Sequence, residues 1–366
     1  MRSRLFCLFV SLVTAVSHLG GREPGQIRVE LQYPTKVTEM VLVGSEGDDL
    51  VFRPPGQDVG GRAYLSITDL KRQRAVVNAL YPSSYGEALR DLGGGRPEVA
   101  LPTLESIADP LVGYLTLGSV AGNIVPAVDA WMEALIDTGR FEEAVALANR
   151  IPLATVPVSL FTRIINLEIR LEEEDLDGLA GQLRTAILEE RGWPESHLEE
   201  VLRLAAWQRM YRRWAEAAAL YRLVEVEGQR LSLKASLWAE YCFLEAGEDL
   251  PNLTFLTEIP ALVSSDSFFP LAQLVRSRTQ EKSGLFSEAM RSAAEGITFA
   301  SVDEESFPPL LLAVARLYLE SGDWVAADSA FRQTLFLFPD SPWGDRASTS
   351  LEQLKANHEE DPQSNP

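Results

Sequence analysis

Two periods divide the chain. Between residues 27 and 80, apolar and polar positions alternate with a period of two in the runs IRVEL, TEMVLVG, DDLVFRP, RAYLSI and RAVVN. Such alternation marks strands with one face on a core. The intervening YPTK, GSEGDD and PPGQDVGG supply the Gly, Pro, Asp and Ser that turns need. The pattern predicts five short strands in a small curled sheet or barrel, with ITDLKRQ as one helical turn before the last strand. A module of this size sits at the lower limit for independent stability and is expected to lean on the segment C-terminal to it.

From residue 83 onward the period becomes 3.6. Leu311, Val314, Ala315 and Tyr318 share one helix face, and Gly322-Asp323 interrupts the pattern. Trp324, Ala327, Phe331 and Leu335 open a second helix, which Pro339 stops because its ring cannot continue the ladder. The result is an antiparallel helix pair. A turn followed by an anchor residue recurs at Phe141, Leu176, Trp214, Asp249, Phe286 and Trp324, at spacings of 35, 38, 35, 37 and 38 residues. Three residues after the anchors stand Ala144, Leu179, Ala217, Asn252, Ala289 and Ala327, and seven after stand Ala148, Leu183, Tyr221, Leu256, Ala293 and Phe331. Ala at the first position lets two helices approach closely; a bulky residue at the second fills the gap toward the next pair. Periods of this length predict stacked helical repeats, with Trp324 buried as an anchor.

The segments TGRFEEAVALANRI, YRRWAEAAALYRLV, SGLFSEAMRSAAEGI and SGDWVAADSAFRQTLFLFPDSP resemble the second half of tetratricopeptide repeats. The units at Leu176 and Asp249 depart from that pattern, only the last unit has the closing proline, and residues 85–109 hold a degenerate seventh unit. The resemblance covers roughly residues 81–355. It implies a mainly α fold: an α-solenoid of six or seven tetratricopeptide-like repeats behind a small all-β module of about five strands at 27–80. It further implies a concave groove, lined by the first helix of each pair, that binds a protein or peptide. Residues 110–124 fit no repeat and read as a short apolar helix or a linker packed on the solenoid.

Charge narrows the partners. The 366 residues carry 53 Asp plus Glu against 33 Lys plus Arg, a formal net charge of -20. The β module is neutral, so the excess falls on the helical part. Nucleic acid is thereby excluded as a partner, since binding it requires phosphate neutralisation. Lys71-Arg72-Gln73-Arg74 reads as a solvated turn.

At the N-terminus, Arg2 and Arg4 precede the apolar run Leu5 to Val16, and Ala15-Val16-Ser17 provides small residues for cleavage. This is the layout of a secretory signal peptide, residues 1–17, too short to span a bilayer. The chain is therefore expected to be exported to the periplasm or the exterior, with no stable membrane insertion after cleavage. Cys242 would remain as a lone, buried thiol. The tail, residues 356–366, is expected to be disordered.

Material for catalysis is scarce. No Gly-rich phosphate loop, H-E-x-x-H or Cys pair is present, so no cofactor or metal is implied. His197 reads as a surface or capping residue, and Glu172-Glu173-Glu174-Asp175 as a solvated turn. The repeat register places Arg203, Ala206, Arg209, Trp238, Tyr241, Arg278, Lys282, Leu312 and Arg316 on the groove face. Five basic side chains there, in an acidic chain, suit a peptide with acidic groups. In the competing reading the arginines balance Glu residues of adjacent helices, and Trp238 and Tyr241 pack between repeats. On the first reading, replacing Arg209, Arg278 and Arg316 with Ala abolishes partner capture with little loss of helicity. The expected role is a protein-protein interaction scaffold in the cell envelope, not an enzyme. The alternatives are a structural homo-oligomer and a glycan hydrolase, the latter requiring two acids at about 5 to 9.5 Å in a cleft.

Overall fold

A computed structural model describes residues 27–56, 61–247 and 262–359. The leader at 1–17, the repeat positions Asp249, Asn252 and Leu256, and the tail from residue 360 lie outside the described residues. Residues 356–359, expected in the tail, continue the last helix, which ends at Glu359.

The strands are β1 Ile27–Gln32, β2 Val37–Glu46, β3 Asp49–Arg53, β4 Ala63–Ser66 and β5 Val76–Ala79, with helix α1 Ile67–Arg72 before the last. They form one antiparallel sheet in the order β4-β3-β2-β1-β5, an open sheet with β4 and β5 at its edges. Val29 and Leu31 alternate inward on β1, opposite Met40 and Thr38 on β2 and Ala79 and Val77 on β5. On β3, Leu50, Val51 and Phe52 are all buried, so both faces of that strand are covered. Helix α1 starts where the Ser66 hydroxyl accepts the Asp69 N–H at 3.0 Å, an N-cap.

The edge of β5 is closed by a side chain. Ala79 N–H donates to Asn123 Oδ1 at 2.7 Å, and Asn123 Nδ2 donates to the Ala79 carbonyl at 2.8 Å. The amide thus imitates a further strand and occupies an edge that would otherwise template association. Gly122 makes this approach possible. Its φ is 41°, and a Cβ there would lie 2.3 Å from Asn78 Oδ1 and 2.6 Å from the Val77 carbonyl.

Helices α2 Ser83–Gly93 and α3 Pro97–Ala108, a 3-10 segment Asp109–Val120 and helix α4 Ile124–Asp137 come next. The 3-10 segment buries Leu111, Val112, Leu115, Leu117 and Val120, and packs on α3, α1 and β5. It thus packs on α3, within the stretch read as a degenerate repeat, and also on the sheet module. The chain divides into two compact units, with the boundary between Ala134 and Leu135.

The second unit is a helical repeat-like array. Its helices are α5 Phe141–Ala148, α6 Val158–Glu173, α7 Asp177–Glu189, α8 Glu195–Met210, α9 Trp214–Glu227, α10 Ser232–Ala246, α11 Phe269–Lys282, α12 Phe286–Phe299, α13 Phe307–Glu320, α14 Trp324–Leu337 and α15 Pro342–Glu359. Five turns in it use one device. Gly139, Asp175, Arg212, Gly284 and Gly322 have positive φ, each two residues before a helix starts. The next residue's N–H then donates to the carbonyl five positions back, as from Arg140 to Leu135 and from Asp323 to Tyr318. This is the Schellman closure, which satisfies the orphan carbonyls of the preceding helix. Asp175 and Arg212 adopt the left-handed conformation without the relief glycine gives.

The device corrects one register. Helix α7 begins at Asp177, not at Leu176. Its small buried position is accordingly Ala180, while Leu179 is half-buried. Ala144, Ala217, Ala289 and Ala327 are buried as expected, and Tyr221 and Phe331 are buried at the bulky position. With the shift, the bulky position of the α7 unit is held by Arg184. A second correction concerns Trp324, which is 42% exposed; the burial assigned to it belongs to Ala327 and Phe331.

Candidate functional site

The groove residues inferred from the sequence separate into internal and surface groups. Arg209 lies in the last turn of α8 and is 2% exposed. Its guanidinium lies 3.4 Å from the centre of the Trp238 ring, Nε donates to the Tyr221 hydroxyl at 3.1 Å, and Nη2 donates to Glu305 at 3.3 Å. Trp238 and Tyr241, on α10, are buried beside it with their rings edge to face. These three side chains are buried, as the packing reading expects, and none stands free on an open groove; each still lines a cavity.

Arg278 and Arg316 bind acids of neighbouring helices. Arg278 on α11 meets Glu245 of α10 and Glu281 of its own helix, both at 2.8 Å. Arg316 on α13 meets Glu281 at 3.2 Å and Glu245 at 3.6 Å. Burial alone would raise the Glu281 carboxyl; the two guanidiniums more than offset it and hold it below the ordinary range. The four charges stitch three helices together. Arg203 is exposed and bridges Glu200 to Asn166 of α6, and Lys282 is exposed at the end of α11.

The array also touches itself over long distances. Arg346 on α15 donates to the Met210 carbonyl at 2.5 Å and stacks near Trp343 and Trp214, at 4.4 and 5.5 Å. Glu305, before α13, takes both Arg209 and Lys234, the latter at 2.9 Å. In an open solenoid each repeat contacts only its neighbours. Here α15 reaches α8, more than 130 residues earlier in sequence. These contacts join parts of the array that are far apart in sequence.

Among the described residues, three cavities are lined by side chains of this group. The first, about 320 Å³, is lined by Arg212, Trp214, Tyr241, Glu245, Leu312, Arg316, Phe331, Asp345 and Arg346, among others. The second, about 430 Å³, brings Arg203, Ala206 and Arg209 together with Leu202, Met210, Lys234, Glu305 and Trp343. The third, about 260 Å³, holds Trp238 with Phe268 and Leu271, and shares Lys234 and Glu305 with the second. Arg278 and Lys282 line none of the three.

The first cavity has the clearest chemistry. Arg316 is neutralised by Glu245 and Glu281. Among the described residues, Arg212 and Arg346 have no carboxylate within ion-pair distance. Burial foremost, with the nearby Arg212 and Arg209 charges, pushes Arg346 below its ordinary value, against an opposing effect of Tyr241 and Glu245. An anion entering this space would relieve that crowding. Sequence reasoning missed both residues. Arg212 occupies a turn, and Arg346 lies on a helix beyond the last repeat anchor.

A buried ionic cluster was also missed. Glu168 and Glu172 of α6, both inaccessible, face Arg184 of α7, Gln208 of α8 and Arg213. Glu172 is thus not part of a solvated turn, although Glu173, Glu174 and Asp175 are exposed. Burial foremost pushes the Glu168 carboxyl up to about 7, against the Arg184 charge that would lower it. The available signal was Arg184 itself, a cation at a position that other repeats fill with Ala, Tyr or Phe. His197 is likewise internal and not a surface cap. Its Nε2 bonds the Val156 carbonyl at 2.9 Å, its ring stacks on Phe161, and burial lowers its pKa. Cys242 is buried as expected, and burial pushes the thiol up to about 12, which leaves it unreactive.

Among the described residues, no group of three or more His, Cys, Asp or Glu is placed to hold a metal ion, and no helix is long and apolar enough to cross a membrane. No protein-family model matches the chain, and no curated protein matches it.

Proposed function

We propose that the helical array is a protein-binding scaffold of an exported, tetratricopeptide-like protein, and that its ligand is an acidic segment of a partner. The observation that carries this reading is the first cavity. Arg212 and Arg346 line it without carboxylate partners among the described residues, together with Arg316, and Trp214 and Tyr241 form its aromatic wall. Guanidinium groups hold carboxylates with paired donors, and rigid aromatic rings add contact area at small entropic cost. The remaining arginines of the face are engaged within the fold, so recognition concentrates on this end of the array. The leader-like residues 1–17 support export, and the envelope is the compartment in which such a scaffold would act.

The test is fluorescence anisotropy with labelled peptides of matched length, either rich in Asp and Glu with one aromatic residue or with the acids replaced by amides. Preferential capture of the acidic peptide, weakened by salt and by at least about tenfold in Arg212→Glu, is the expected result. Equal affinity for acidic and amide peptides would overturn the reading. Arg212 is the suitable probe because it is exposed, whereas Arg346 also holds the Met210 carbonyl.

A further inference from the structure

The outer face of α14 carries the most exposed large apolar side chains among the described residues. Val325 is 81% and Phe336 84% exposed. They stand eleven residues apart, about three helical turns, and so share one face. Between them on that face lie Asp328 and Arg332, which pair with each other at 2.6 and 3.1 Å. Read from either end, the stripe runs apolar, charged, charged, apolar, and the two charges are opposite in sign.

A stripe with this order is self-complementary. Two copies of α14 laid antiparallel across a two-fold axis near residues 330 and 331 set Val325 against Phe336 of the other copy. They also set Asp328 against Arg332 in both directions. An isologous contact requires this reciprocity, because each residue must meet its complement under one rotation. A parallel arrangement would oppose like charges. Shape agrees with charge. Beside Val325 lies a cavity of about 590 Å³ lined by Gly322, Asp323, Trp324, Asp328, Arg332, Leu354 and Lys355. Phe336 is not part of that lining. In the antiparallel pair the Phe336 ring of each copy is carried toward the cavity of the other, a knob into a hole. We infer that α14 is a homodimer interface and that the partner it fits is a second copy of this chain.

Sedimentation equilibrium of the purified chain tests this, with circular dichroism to confirm the helical content of each variant. The wild type should be dimeric at micromolar concentration. Phe336→Glu should weaken the dimer by at least about 30-fold. Asp328→Arg and Arg332→Asp should each be monomeric alone. Mixed in equal amounts they should form a dimer, since one variant then presents arginine at both positions and the other aspartate at both. A monomeric wild type, a Phe336→Glu variant that dimerises undiminished, or single charge variants that fail to associate on mixing would each overturn the inference. Phe336 and Arg332 are exposed and Asp328 is half-buried, so circular dichroism of each variant separates loss of the contact from loss of the fold.

Discussion

Replacing Arg209 with Ala tests whether the face assigned to binding is in fact the packed interior of the array. Three losses are foreseeable. The Tyr221 hydroxyl, itself buried, loses its partner, a cost of about 1 to 3 kcal/mol for an unsatisfied buried group. The guanidinium leaves the Trp238 ring, a contribution of about 2 kcal/mol when desolvated. The aliphatic stem leaves a void among side chains that cannot fully collapse. Glu305 is half-exposed and returns to water, so its share adds little. The effect should total about 3 to 5 kcal/mol and be felt locally, since repeat arrays open segment by segment. Hydrogen-exchange mass spectrometry of residues 195–246 is the assay. The expected loss of protection is roughly 100-fold or more, because about 1.4 kcal/mol corresponds to each factor of ten. Arg209→Met keeps the stem and should lose less. Unchanged protection of α8 to α10 in the Ala variant would refute the reasoning. Equally, the triple Ala variant at Arg209, Arg278 and Arg316 should lose helix protection as well as any binding, and is not a selective probe of the partner site.

Burial sets two further expectations. Phe331→Ala should cost about 3 to 5 kcal/mol and Trp324→Ala less than about 1.5, since only the former is enclosed; urea denaturation distinguishes them, and the reverse order would sink the revised register. Glu168→Gln should flatten the dependence of stability on pH. With its carboxyl raised from 4.5 to about 7, the folded chain keeps a proton that the unfolded chain releases. Its contribution, at most roughly 3 kcal/mol, is complete below about pH 4.5 and is lost as pH rises through about 7. Identical slopes for wild type and variant between those pH values would count against this assignment.

Local features were legible in the pattern of the chain. A period of two cannot sit as a helix, and a period of 3.6 cannot sit as a strand, so the five strands, the short helix α1 and the succession of helix pairs could be read without coordinates. Ala217, Ala289 and Ala327 could be placed because hairpin helices meet at small residues. The roles of the polar side chains emerged only on folding. One residue of offset at Asp177 moved Arg184 inward, to two acids of α6, and repeat spacing does not resolve a single position. The curl that brings α15 to α8 accumulates from small rotations between successive pairs, and no local pattern encodes the sum. Arg209 therefore reads as a groove cation in the sequence and is an internal strut in the fold, while Arg212 and Arg346, inconspicuous in the sequence, come to line one cavity together.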